Sequence, residues 1–215
     1  MRTLDLRKTL ASLYNPPVRP VLVHMPEQAY LAVDGVIEPG ALPGTSPAFE
    51  QAIGALYGIA WTVRFALKQR PDDPVTYPVM PLEALWWGDD WHWRALIMQP
   101  GDVTAADVEQ ARAQVERKRG ESDALAALRL ERIAEGRCVQ MMHIGPYATE
   151  AVTFAAMDAW AVASAEMFVP RTQPATPASG HHEIYLGDPR RADPAKLKTV
   201  LRRRLVNPTP SAGAE

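Results

Sequence analysis

The apolar periodicities of this chain fall in the same order twice. Residues 30–33 read as an apolar strand, followed by a turn-rich loop over 34–47 with three glycines and three prolines. A helix is then predicted over about 48–68, because Phe49, Ile53, Leu56, Ala60, Val63 and Leu67 recur at helical spacing, with Tyr57 and Trp61 flanking that stripe. Strands over 75–87 and 91–99 follow, joined by the hairpin signal Gly88-Asp89-Asp90. The second half repeats this order: a strand over 138–144, the loop Gly145-Pro146-Tyr147, a helix over about 149–168, a strand over 181–186 and a final run over 197–206. Gly35 precedes Gly145 by 110 positions and Glu83 precedes Glu183 by 100. Two β-α-β-β units joined side by side, with helices on one face of an antiparallel sheet, make an α+β fold of one domain spanning 1–215. The units run over about 20–100 and 138–206. Between them, 104–137 is a charged helical insertion with a solvated face. A short N-terminal helix over 5–13 ends at Asn15-Pro16-Pro17. The tail over 207–215, rich in proline, serine and alanine, is expected to be disordered.

The run from Gly180 to Arg191, GHHEIYLGDPRR, carries the chemistry. At strand period His181, Glu183 and Tyr185 share one face and His182, Ile184 and Leu186 the other, which sets a carboxylate among polar aromatic rings. An unpaired buried carboxylate costs several kcal/mol or shifts its pKa upward, so Glu183 either faces solvent on an edge strand or meets a partner that uses it. Four tryptophans, Trp86, Trp87, Trp91 and Trp93, crowd one hairpin. They serve as core or as walls of a slot for a planar ligand, since aromatic faces stack on flat molecules and attract delocalised cations. Alternation places Glu83, Leu85 and Trp87 on one face of their strand and Trp86 on the other.

These motifs resemble the stand-alone GyrI-like small-molecule-binding proteins. The resemblance rests on HHEIYLGDPRRADPAKLKTVLRR, His143-Ile144-Gly145-Pro146-Tyr147, Val33-Asp34-Gly35, Leu13-Tyr14-Asn15-Pro16, Leu56-Tyr57-Gly58-Ile59-Ala60, Pro81-Leu82-Glu83 with Trp86-Trp87, and Ile97-Met98-Gln99-Pro100, over roughly residues 5–205. One departure stands out: where the resembled proteins continue VDG with a Gly-Asp-Pro-Asn type of turn, this chain has Val36-Ile37-Glu38-Pro39-Gly40. The resemblance implies the same fold and a cleft between the two units that binds flat, often cationic aromatic compounds, with Glu183 at its centre. It implies Tyr147 and Tyr185 as lining residues. Glu83, taken as the pseudo-symmetric counterpart of Glu183, is added with Trp87 and Tyr57 as ligand-binding candidates. Some members hydrolyse cyclopropylpyrroloindole DNA alkylators, which would make Glu183 and Tyr147 catalytic. Others are sensing or sequestering modules without turnover, and part of the superfamily contacts DNA gyrase, for which no surface is marked here.

Other classes find no support. A formal charge of −2 gives no basic footprint for nucleic acid, and no apolar run reaches the roughly 18 residues of a membrane span, so a cytoplasmic protein is expected. The one cysteine, Cys138, reads as core and excludes an internal disulfide. No metal is expected: His181 and His182 point to opposite faces of a regular strand, and HExxH spacing is absent. P-loop, GxGxxG and GxSxG patterns are absent as well, so no nucleotide cofactor is expected.

Overall fold

The computed structural model describes residues 1–171 and 174–207. In chain order the elements are β1 (Arg2–Thr3), α1 (Leu6–Thr9), α2 (Ala11–Tyr14), β2 (Val21–Met25), β3 (Gln28–Val36), α3 (Pro47–Lys68), β4 (Val75–Thr76), β5 (Leu82–Trp87) and β6 (His92–Gln99). After these come α4 (Ala105–Arg119), α5 (Asp123–Ala127), β7 (Arg129–Ile133), β8 (Gly136–Ile144), α6 (Glu150–Ala163), β9 (His181–Tyr185) and β10 (Lys198–Arg204). Eight strands form one sheet in the order β2-β8-β10-β9-β5-β6-β3-β7, and every neighbouring pair is antiparallel. The two β-α-β-β units are therefore β3-α3-β5-β6 and β8-α6-β9-β10. They meet where β5 pairs with β9, Ala84 opposite Glu183 and Trp86 opposite His181.

Local chemistry explains the long helix. The Ser46 side chain accepts from the Phe49 N–H, and Pro47 occupies a position whose missing N–H costs nothing. Its inward stripe, Phe49, Ala52, Leu56, Ile59, Ala60, Val63 and Leu67, is buried. Phe49 packs on Trp86 and Trp93 with ring centroids 5.1 Å apart in each case. Phe154 of α6 lies 4.9 Å from His181. Because Trp86 and His181 are register partners, their side chains emerge on the same side, and so α3 and α6 cover the same face. The insertion packs α4 and α5 against α3. Nothing comparable covers α6 among the described residues, and Val152 and Val162 on its outer side are exposed.

Several expected boundaries shift. The strand expected over 75–87 breaks at Pro78 and Pro81, which cannot donate to a ladder; Val75–Thr76 instead pairs in parallel with β1, and the sheet resumes at Leu82. The helix expected to reach 168 stops at Ala163, where Ala165 turns to a positive φ and Phe168 bridges to Leu205. The single N-terminal helix is two four-residue helices interrupted at Leu10. The insertion is not helical throughout, since β7 pairs with β3 at one sheet edge, and β2 closes the other. Residues 208–215 of the tail lie outside the described residues. No described helix is long and apolar enough to cross a membrane.

The seam also explains Gly180. A Cβ built there would sit 1.9 Å from the Trp86 carbonyl oxygen, which is backbone and cannot yield cheaply. Gly180→Ala is expected to cost about 1–3 kcal/mol or more by forcing β9 away from β5, measurable as a drop in the urea midpoint. An unchanged midpoint would show that the close approach does not constrain the seam.

Candidate functional site

The seam strands β5 and β9 lie between the two helices, since α3 packs on β3 and β6 while α6 packs on β8. Their helix-side residues, Leu82, Ala84, Trp86, His181, Glu183 and Tyr185, share the face of the seam between α3 and α6, where the family resemblance expects a cleft. Glu183 is 9% exposed, and its Oε1 lies 2.8 Å from His181 Nε2. The Trp86 indole donates to the Tyr185 hydroxyl at 3.0 Å. Burial, then the charge and hydrogen bond of Glu183, holds that hydroxyl well above its ordinary value.

Tyr147 comes from the loop before α6. Gly145 takes a φ of 138°, and His143 bonds through Nδ1 to Thr153 (2.8 Å) and through Nε2 to the Pro146 carbonyl (3.2 Å), which fixes the loop. The Tyr147 ring stands edge-on to Tyr185 at 5.7 Å, and burial followed by the charges of Glu183 and Glu150 pushes its hydroxyl up to about 12. Tyr57 reaches that face from α3, its hydroxyl raised by burial and opposed by the backbone of Leu82.

Glu150, which sequence reasoning missed, completes the group. Its carboxyl is buried beside Glu183, with Oε1 left without a donor. Burial, then the charge of Glu183 and a hydrogen bond to it, drives the Glu150 pKa far above the usual carboxyl range. Two adjacent carboxyls with no cation between them share a proton, and here Glu150 holds it while donating to Glu183. In sequence, an acid in the first turn of a helix reads as a complement to the helix dipole, which hid it. The available signal was that this helix opens directly after the Tyr147 loop.

Two expected ligand contacts lie elsewhere. The register sets Ala84, not Glu83, opposite Glu183, so Glu83 and Trp87 project from the other face of the sheet. Trp87 stacks on His92 there at 5.7 Å. Glu83 is 0% exposed; its Oε1 accepts from the Tyr14 hydroxyl at 2.6 Å, and its Oε2 pairs with His182 Nε2 at 3.0 Å. His182 Nδ1 bonds Glu135 at 2.8 Å, and the same carboxylate accepts from Arg202 at 2.7 Å. This is a charge-balanced structural network, two carboxylates against an imidazolium and a guanidinium. Among the described residues no group of three metal-ligating side chains is arranged to hold an ion.

Burial alone would lower the pKa of His182, yet Glu135 and then Glu83 raise it to about 9, while His182 and Arg202 keep Glu135 well below the usual carboxylate range against its own burial. A histidine raised in the folded state contributes stability that is complete below its unfolded value near 6.5 and lost as pH rises through about 9. We expect the unfolding free energy from urea titrations to fall between pH 6.5 and 10 by roughly 3 kcal/mol at about 1.4 kcal/mol per unit, and His182→Gln, already weakened, to lack that slope. An equal slope in the variant would assign it to other groups.

Solved structures provide the comparison. The chain is 32% identical to a hydrolase from Listeria innocua, covering 94% of this chain and 100% of that one with a TM-score of 0.82. An uncharacterized conserved protein from Listeria innocua aligns with 32% identity, the same coverages and a TM-score of 0.83. A further hydrolase structure from that organism gives 31% identity, 95% and 100% coverage and 0.81. No family model and no curated protein matches the chain. With identity above 30% over nearly the whole of both chains, this protein belongs to the same family as these Listeria innocua proteins.

Proposed function

We propose that this is a GyrI-like ligand-binding protein that takes planar aromatic, cationic small molecules into the cleft between its two units. One observation carries the reading: Glu183 is buried at the seam among Tyr185, Tyr147, Trp86 and His181, and no lysine or arginine pairs with it among the described residues. A flat cation stacked on these rings would supply the missing charge, and desolvation strengthens both terms. Tyr57 would line the α3 side.

The Glu150–Glu183 pair favours a second step, hydrolysis, and two of the relatives are described as hydrolases. In this reading the substrate is a cyclopropylpyrroloindole-type alkylator. A water held by Glu183 attacks a cyclopropane carbon and gives its proton to the Glu183 carboxylate. The C–C bond breaks, and its electron pair passes through the dienone to the ring oxygen, which becomes a phenolate. Tyr147, protonated at neutral pH, or the Glu150 carboxyl then donates a proton to that oxygen. The net change is the gain of one water.

Binding is tested by titrating a rhodamine cation and a neutral planar analogue. Glu183→Gln is expected to weaken the cation about tenfold or more, as loss of a charge-assisted contact of about 1.5–3 kcal/mol requires, and the neutral analogue much less. Equal losses would remove the cation-pairing role. For catalysis, incubation with a cyclopropylpyrroloindole should yield product heavier by one water. Glu183→Gln should slow that step by about 10²-fold or more, and Tyr147→Phe should bind normally while reacting more slowly. Recovery of unchanged compound from the wild-type protein would leave binding without turnover.

A further inference from the structure

The hairpin joining β5 to β6 holds a feature that the cleft does not use. Its loop runs from Gly88 to Trp91, and Trp91 adopts a φ of 54°. The left-handed conformation at the end of such a loop is where glycine is the default residue, and a bulky side chain there is a steric outlier. The indole is also 50% exposed, so burial does not repay the strain. Its ring stands edge-on to Trp86 at 6.1 Å, which holds it in place from behind.

In front of Trp91 lies a cavity of about 450 Å³, bounded by the hairpin tip and by residues 36–41. This is the loop whose sequence departs from the pattern of the resembled proteins. The cavity is acidic as well as aromatic. Glu38 lines it with its stem, its Oε1 accepting from the Ala48 N–H and its Oε2 buried, and Ser46 and that N–H keep its pKa low. Asp90 and His92 line it on either side of Trp91 in the chain. None of the seam residues Trp86, His181, Glu183 and Tyr185 lines this cavity, and the Trp86 indole N–H is committed to Tyr185.

We infer that the Trp91 cavity is a second binding site, distinct from the Glu183 cleft, for a small planar aromatic cation. The ligand would stack on the exposed face of the Trp91 indole, with Asp90 supplying negative charge at its edge. The strained backbone is the means by which that face is presented to solvent and not folded onto the hairpin.

Calorimetric titration with N-methylquinolinium, a flat cation small enough for one site, tests this. Wild-type protein is expected to take up two equivalents if the Glu183 cleft also binds the probe, and one if it does not. Trp91→Gly removes the indole and relieves the left-handed strain, so it should melt no lower than wild type while losing one equivalent. Asp90→Asn should weaken the same equivalent. Glu183→Gln affects only the other site, so its outcome bears on the cleft alone. Uptake by Trp91→Gly with unchanged stoichiometry and affinity would overturn the second site, whatever Glu183→Gln does.

Discussion

The two half-sheets meet along one short ladder, four residue pairs from Glu83 opposite Ile184 to Trp86 opposite His181. Everything that distinguishes the molecule is fastened to that ladder. On the helix side Trp86 reaches across it to Tyr185, and on the reverse side Glu83 reaches across it to His182. A backbone pairing this short would be a weak joint alone. Side-chain contacts across both faces make it continuous with the two cores, and Gly180 lets the chain lie close enough for both to form.

Alternation along β9 gives two neighbouring residues opposite electrostatic lives. His182 meets two carboxylates and is sealed by Arg202 and the N-terminal helices, so its charges balance. Glu183 meets another carboxyl, and the pair resolves its conflict by keeping a proton. A balanced buried network is structural, because nothing would be gained by opening it. An acid pair that still lacks a countercharge is different: it is stabilised by whatever brings positive charge to it.

Much of this was legible in sequence. The stripe from Phe49 to Leu67 placed α3 because its helical period holds over about five turns, and HHEIY showed at once which residues share a face. The failures share one cause. Alternation separates Trp86 from Trp87 and shows that Glu83 follows Trp87, but it does not say which face looks toward the helices; that depends on pairing with a strand about 100 residues away. Spacing between repeats misled in the same way, since equal numbering offsets do not guarantee the same pleat. Strand β7, with the sequence RLERI, reads as part of a charged helix, whereas β2, VLVHM, carries an apolar strand signal of its own that falls outside the β-α-β-β pattern of the two units.

The unequal dressing of the two helices gives the cleft a stiff wall and a compliant one. α3 is clamped from outside by α4 and α5, whereas α6 is shorter and rests on a smaller cluster, with solvent behind it. Regions with few buried contacts open at lower cost. On the proposed function, a guest wider than the resting gap would be accommodated by displacement of α6, which carries Glu150 and the end of the Tyr147 loop, while Tyr57 and the seam stay fixed. On that function, tolerance for guests of different girth would lie on one side of the protein, and the acid pair would be the part that feels their size.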